Sequence, residues 1–185
     1  MMEFKGLLAA EFAAYRLLSQ SQLDALEAHY HLLCKWNEKI NLCRFRDVQE
    51  AVELHYCESL YLGLSLPVGV LRIADVGSGA GFPGYPIAVL RSECHVDLIE
   101  SDGRKAAFLR EASDANGNIC VLAMRAEDCK QRYDWVVSRA VRAEIVRQLA
   151  LAPECALLTT DVSPIKVPWG RNRFIQMFHV KQRSF

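Results

Sequence analysis

The stretch LRIADVGSGAGFPGYPIAVL, residues 71–90, constrains this 185-residue chain more than any other. An apolar run ends at Asp75 and Val76, and glycines follow at 77, 79, 81 and 84 before apolar residues resume. Glycine loses more backbone freedom on folding than any other residue, so such a cluster needs a tight turn or a closely approaching ligand. The surrounding rhythm supplies the frame. VLRIADV, HVDLIE, NICVLAM, YDWVVS and CALLTT are short apolar or β-branched runs, most of them separated by helix-compatible segments such as GRKAAFLREASDAN. That alternation predicts an α/β fold, a mostly parallel sheet with helices on both faces.

The residues before this region read differently. SQSQLDALEAHYHLLCKWNEKINL opens with Ser21 and Asp24 at capping-box spacing, and Leu26, Tyr30, Leu33, Trp36, Asn37 and Ile40 fall near one helical face. A second helix start stands at Asp47 with Glu50 three residues on, and Pro67 and Gly69 break the pattern. The expected organisation is an N-terminal helical extension, 1–66, packed on a domain of residues 67–185. Seven cysteines without a C-x-x-C pair exclude a zinc ribbon and a thioredoxin-like site and point to a reduced, cytoplasmic protein. Cys34, Cys43 and Cys57 sit in helical patterns as small hydrophobes. Glu3 and Glu11 spoil a signal peptide, and no apolar run approaches a membrane span. His29 and His31, two apart on a helix, cannot share a metal.

In an open α/β sheet, ligands bind beyond the carboxyl ends of the strands, where this loop lies. Gly77, Gly79 and Gly81 let backbone N–H groups approach a ligand at the N-terminus of the next helix. Glu100 closes the next strand, where a carboxylate can accept hydrogen bonds from ribose hydroxyls. Gly79 to Gly84 also satisfy the dinucleotide pattern G-x-G-x-x-G. Three features favour S-adenosylmethionine instead. Asp75 precedes the glycines, where it can order the loop near the ligand's ammonium end. The loop follows a long helical preface, and Glu127 and Asp128 come after the third strand, where adenine would lie. Those two acids suit a helix N-terminus equally well.

KWNEKINL, HYCESL, DVGSGAGFPGYPIA, IESDGRKAAFLRE, MRAED and YDWVVSRA resemble, in order and rough spacing, the bacterial RsmG (GidB) proteins from about Leu26 to Ala140. The resemblance implies a Rossmann-like class I S-adenosylmethionine-dependent methyltransferase. Its reaction would be transfer of a methyl group to guanine N7 in the 530 loop of 16S ribosomal RNA. The partner would be that RNA or the small ribosomal subunit, and the protein a metal-free monomer. It further implies that Gly77 and Phe82 line the cofactor pocket and that Ala126 and Glu127 bind the adenosine end. Arg139 would stand at the fourth strand's tip beside cofactor and base, and Arg125 would contact RNA. Asn41 and His55 match recurrent polar positions without a firm role. The family's lysine–glycine after the fifth strand is absent, and the C-terminal part is shortened. That bears on substrate grip more than on cofactor binding.

Guanine N7 carries an available lone pair and needs no prior deprotonation, and the sequence has neither an Asp/Asn-Pro-Pro-aromatic motif nor a Pro-Cys nucleophile. Cys155 begins an apolar run and reads as core. Arg139 could instead pair with a carboxylate for structure, and His55 reads as a satisfied core histidine. From Val162 to Phe185 there is no acid, but Lys166, Arg171, Arg173, Lys181 and Arg183 occur among Trp169, Phe174 and Phe178. Arg171 and Arg173 are the RNA-contact candidates there, and a solvated edge strand is the alternative. The other function classes left open are an NAD(P)-dependent oxidoreductase and a non-catalytic relative that only binds S-adenosylmethionine or RNA.

Overall fold

The computed structural model describes residues 3–69, 71–139 and 141–180. Helix α1 spans Phe4–Phe12 and α2 spans Gln20–Asn37. The cap of α2 is Ser19, two residues before the expected Ser21. Ser19 Oγ accepts from Gln22 N–H at 3.2 Å, and the Gln22 side chain accepts from Ser19 N–H at 2.9 Å. Gln22 reciprocates in place of the expected Asp24, which sets the earlier register. The helix stops at Asn37, whose side-chain oxygen takes the N–H groups of Leu42 and Cys43, so Ile40 and Cys43 lie beyond it in a loop.

Asp47 caps the next helix as expected, accepting from Glu50 N–H at 2.8 Å. This helix runs as α3 (Val48–Ala51), a π-helical stretch (Val52–Cys57) and α4 (Glu58–Ser65). Then follow β1 (Arg72–Val76), α5 (Gly84–Leu90), β2 (His95–Ile99), α6 (Gly103–Ser113) and β3 (Ile119–Leu122). After a 3-10 turn at Ala126–Asp128 come β4 (Trp135–Arg139), α7 (Ala143–Leu149), β5 (Glu154–Thr159), β6 (Ile165–Lys166) and β7 (Phe174–His179).

The sheet order is β3-β2-β1-β4-β5-β7-β6, with the first five strands parallel and β7 antiparallel to both its neighbours. Alternation along each strand divides two cores. On one face Ile73, Leu98, Val137 and Ile175 meet Phe12, Leu26, Leu60, Ile87 and Phe108 from α1, α2, α4, α5 and α6. On the other, Ala74, Ile99, Val136 and Leu157 meet Val146 of α7 and Tyr133. The strand order reverses between β1 and β4, which opens the crevice at the carboxyl ends of the strands.

Within the basic C-terminal segment β6, with the exposed Lys166, is the edge of the sheet, as the edge-strand alternative expects, whereas β7 is covered between β5 and β6. Arg171 and Arg173 sit in the β6–β7 hairpin loop. Trp169 does not face outward among the charges. It is buried against Phe12 and Tyr15 of the N-terminal part, and its Nε1 donates to Glu11 at 3.2 Å. Ala140, Lys181 and Arg183 lie outside the described residues. No helix among the described residues is long and apolar enough to cross a membrane.

Candidate active site

The glycine loop is held from below by its own flanking acids. Gly77, Gly79 and Gly81 have φ of 71°, 58° and 85°. Gly77 and Ser78 N–H groups both donate to the Ile99 carbonyl, at 3.0 and 3.2 Å, which ties the loop to the end of β2. Glu100 Oε2 accepts from Gly79 N–H at 2.9 Å, and its Oε1 accepts from Asp102 N–H at 2.8 Å. Asp75 is 0% exposed and accepts from Gly84 N–H at 2.9 Å, while its Oδ1 has no partner among the described residues. Burial raises the Asp75 carboxyl to about 7. A Cβ at Gly84 would lie 2.5 Å from Leu98 Cδ2 and 2.7 Å from Asp75 Oδ2. Glycine is therefore required at 84 for close packing of α5 on the sheet.

Above this loop a hollow of about 200 Å³ is lined by Val76, Gly77, Ile99, Arg125, Ala126 and Glu127, among others. The structure thus brings four expected residues together: Gly77, Arg125, Ala126 and Glu127. Gly79 and Glu100 stand behind the hollow as loop supports, and both Glu100 oxygens already serve backbone donors. Phe82 is elsewhere. It is 2% exposed and packed among the rings of His29, His55 and Tyr56.

A larger hollow of about 680 Å³ adjoins the first, and Val141 lines both. Its walls include Leu54, His55, Arg139, Arg142, Arg147 and Arg173. Arg139 has no carboxylate partner among the described residues. Its Nη1 donates to the Leu54 carbonyl at 3.2 Å and to His55 Nδ1 at 2.6 Å, and its guanidinium lies 5.0 Å over the Phe82 ring. Burial lowers its pKa, yet a guanidinium stays charged. Arg173 is different. It forms a two-point pair with the fully buried Glu58, at 2.7 and 2.8 Å. Burial raises the Glu58 carboxyl, against the pull of Arg173. Arg125, Arg142 and Arg171 are exposed.

Sequence reasoning leaves His55 without a role and does not single out Glu58. Each meets its arginine across 84 and 115 positions respectively, and nothing local announces such a contact. His29, by contrast, belongs to the interior. Its Nδ1 stands 2.7 Å from Tyr56 Oη and its Nε2 stands 3.1 Å from the Ala80 carbonyl. A carbonyl only accepts, which makes Nε2 the protonated nitrogen.

Burial lowers His29 to about 3, and burial with the Arg139 charge second lowers His55 to about 4. Both are neutral in the folded protein and protonate more readily unfolded, so their stabilisation is full above about 6.5 and is lost as pH falls through 4 and 3. Asp75 has the opposite sign. Its raised pKa stabilises the fold at low pH, and that contribution is lost as pH rises from about 3.9 towards 7. A tenfold difference in proton affinity between the folded and unfolded chain corresponds to about 1.4 kcal/mol. Thermal melts should therefore show Tm falling as pH is lowered from about 7 to about 4.5, and falling more steeply in Asp75→Asn. An equal slope in the variant would remove Asp75 from this balance.

Residues 22–152 match the family described as rRNA small subunit methyltransferase G, GidB. The chain is 42% identical over 145 residues to the "Ribosomal RNA small subunit methyltransferase G" of Rhodospirillum centenum, covering 78% of this chain and 67% of that protein. It is 37% identical over 133 residues to the protein of the same name from Desulforamulus reducens, covering 67% and 55%. The chain thus spans between about half and two thirds of the length of such relatives. Among solved structures, a coclaurine N-methyltransferase bound to N-methylheliamine and SAH superposes with a TM-score of 0.51 at 13% identity, covering 84% of this chain and 56% of that one. This likeness speaks for the fold alone. On the family match and the identities together, the chain belongs to the rRNA small subunit methyltransferase G (GidB) family.

Proposed function

We propose that this protein transfers a methyl group from S-adenosylmethionine to N7 of a guanine in the 530 loop of 16S ribosomal RNA. The observation that carries this is the adjacency of the two hollows, one bounded by the glycine loop and Glu127, the other by Arg139, with Val141 common to both. The first suits the cofactor. At Gly77 a Cβ would come within 3.0 Å of Val141 Cγ2, so backbone alone forms that wall. Gly77, Ala126 and Glu127 would hold the cofactor, with Gly79 and Glu100 keeping the loop in shape and Phe82 supporting it from the interior. When bound, S-adenosylmethionine supplies a methyl group on a sulfonium, open to displacement.

The residues then have little proton chemistry to perform. The N7 lone pair forms the new bond to carbon as the carbon–sulfur bond breaks, and no proton moves. Positive charge passes from sulfur to the purine, so a hydrogen bond to N7 itself would oppose the step. Orientation is what the protein can contribute. Arg139 does this by donating to the guanine's oxygen edge. Arg139→Ala should lower methyl transfer at least about tenfold, the loss of one hydrogen bond from a charged group. Single-turnover rates on one RNA check this, and equal rates would remove Arg139 from the site.

Residues 1–66 act in this account as a helical support for the methyltransferase domain of 67–185, in a cytoplasmic, metal-free monomer. RNA phosphates are met by exposed Arg125, Arg142 and Arg171. Arg173 is committed to Glu58, so it contributes by fixing the hairpin that carries Arg171. Each lost phosphate contact lowers the salt dependence of binding by about 0.7 for single-stranded RNA. The double change Arg142→Ala, Arg171→Ala should weaken RNA binding and flatten the salt slope while leaving cofactor affinity unchanged. Filter binding across salt concentrations reads this directly, and parallel, unshifted curves would refute it. Calorimetry tests the proposal as a whole: S-adenosylmethionine should bind and NADH should not.

A further inference from the structure

His55 and Arg139 form a contact that goes beyond packing. A guanidinium has N–H donors and no acceptor. The imidazole nitrogen 2.6 Å from Arg139 Nη1 must therefore offer a lone pair, so Nδ1 is unprotonated. The proton then resides on Nε2, which stands 3.1 Å from the Arg44 carbonyl, an acceptor, and 3.2 Å from Cys43 Sγ. His55 is held as one neutral tautomer by partners on both sides. Phe82 fixes the remaining freedom. The His55 ring stacks on it at 5.2 Å and 26°, and the Arg139 guanidinium lies over the same ring at 5.0 Å.

The consequence concerns which edge of Arg139 is free. Nη1 has two hydrogens, and its two acceptors are Leu54 O and His55 Nδ1. Among the described residues no oxygen acceptor is bound to Nη2 or Nε; the Cys43 thiol, a weak acceptor, lies within reach of the guanidinium, and Arg139 lines the larger hollow. Resting on the methyl-transfer reading above, we propose that His55 is a positioning residue: its Nδ1 lone pair anchors Arg139 Nη1 and thereby presents the Nη2–Nε edge to O6 of the guanine. The π-helical stretch Val52–Cys57 carries both anchors, the Leu54 carbonyl and the His55 ring. Such stretches recur at functional sites.

The contact and the chemistry are tested separately. In the chain labelled with ¹⁵N, side-chain correlation spectra at neutral pH should show His55 as the Nε2–H tautomer, held by the Arg44 carbonyl, and Arg139→Ala should shift the Nδ1 resonance as its hydrogen bond is lost. A parent His55 protonated on Nδ1, or unchanged by Arg139→Ala, would overturn the proposal whatever the enzyme's substrate. For the kinetics, His55→Asn keeps an acceptor near the Nδ1 position and His55→Leu does not. His55→Leu should lower kcat/KM for RNA about tenfold with cofactor affinity unchanged, and His55→Asn should recover most of the loss. Equal impairment in the two folded variants would show a merely structural role and overturn the proposal. If the parent itself methylates no RNA, the methyl-transfer reading and the assignment to guanine O6 fall together, and the spectra still decide whether His55 positions Arg139.

Discussion

Arg173→Ala is expected to cost about 3–5 kcal/mol of stability, a fall in Tm on the order of 10 °C for a chain of this size. The reason is Glu58, whose carboxylate is 0% exposed and paired at two points with Arg173. Removing the arginine strands an acid in the interior, between α4 and the β6–β7 hairpin. Removing both charges should cost less than removing one, because a well-filled apolar site needs no partner. Glu58→Gln added to Arg173→Ala should therefore recover at least about half of the lost stability, as read by chemical denaturation. No recovery would mean that the arginine's packing matters and the pair does not.

Gly79→Val should abolish cofactor binding while sparing the fold. Position 79 has φ of 58°, a region a β-branched residue occupies only under strain. The nearest heavy atom to an added Cβ would be the Gly77 carbonyl at 3.9 Å, so no core contact is disturbed. What changes is the loop itself, through the Gly79 N–H that Glu100 anchors and the open space above it. Calorimetry with S-adenosylmethionine should show no measurable heat, and the melting temperature should move by only a few degrees. Binding at parental affinity would place the cofactor elsewhere.

The five parallel strands are legible in the sequence because each is a short apolar run, and the helices between them are legible by default. The site follows from topology: once β1 ends at a glycine loop, the loops after β3 and β4 must share its rim. That reasoning sets Gly77, Arg125, Ala126 and Glu127 on one rim, and in the structure the four line one hollow. The place of Phe82 is not legible for a physical reason, since an aromatic beside glycines suits a ligand wall as well as an interior. Trp169 misleads because nothing in a basic segment reveals that α1 lies under it. The cap of α2 slips because SQSQ offers serines in two registers, and only the Gln22 side chain decides between them. His55–Arg139 and Glu58–Arg173 are invisible for a different cause. They are tertiary pairs between one continuous helix and distant parts of the chain, and no propensity foretells the π-helical stretch that carries His55.

The central claim is methyl transfer to guanine N7, and it can be read from the position of the new methyl group. Small ribosomal subunits that lack this modification would be incubated with the protein and S-adenosylmethionine. The 16S RNA would then be reduced and cleaved with aniline, which breaks the chain only at N7-methylated guanines. The account predicts one new cleavage, in the 530 loop, absent without S-adenosylmethionine and strongly diminished with Arg139→Ala. Incorporation of the methyl group without that cleavage, or cleavage at a guanine elsewhere, would contradict it.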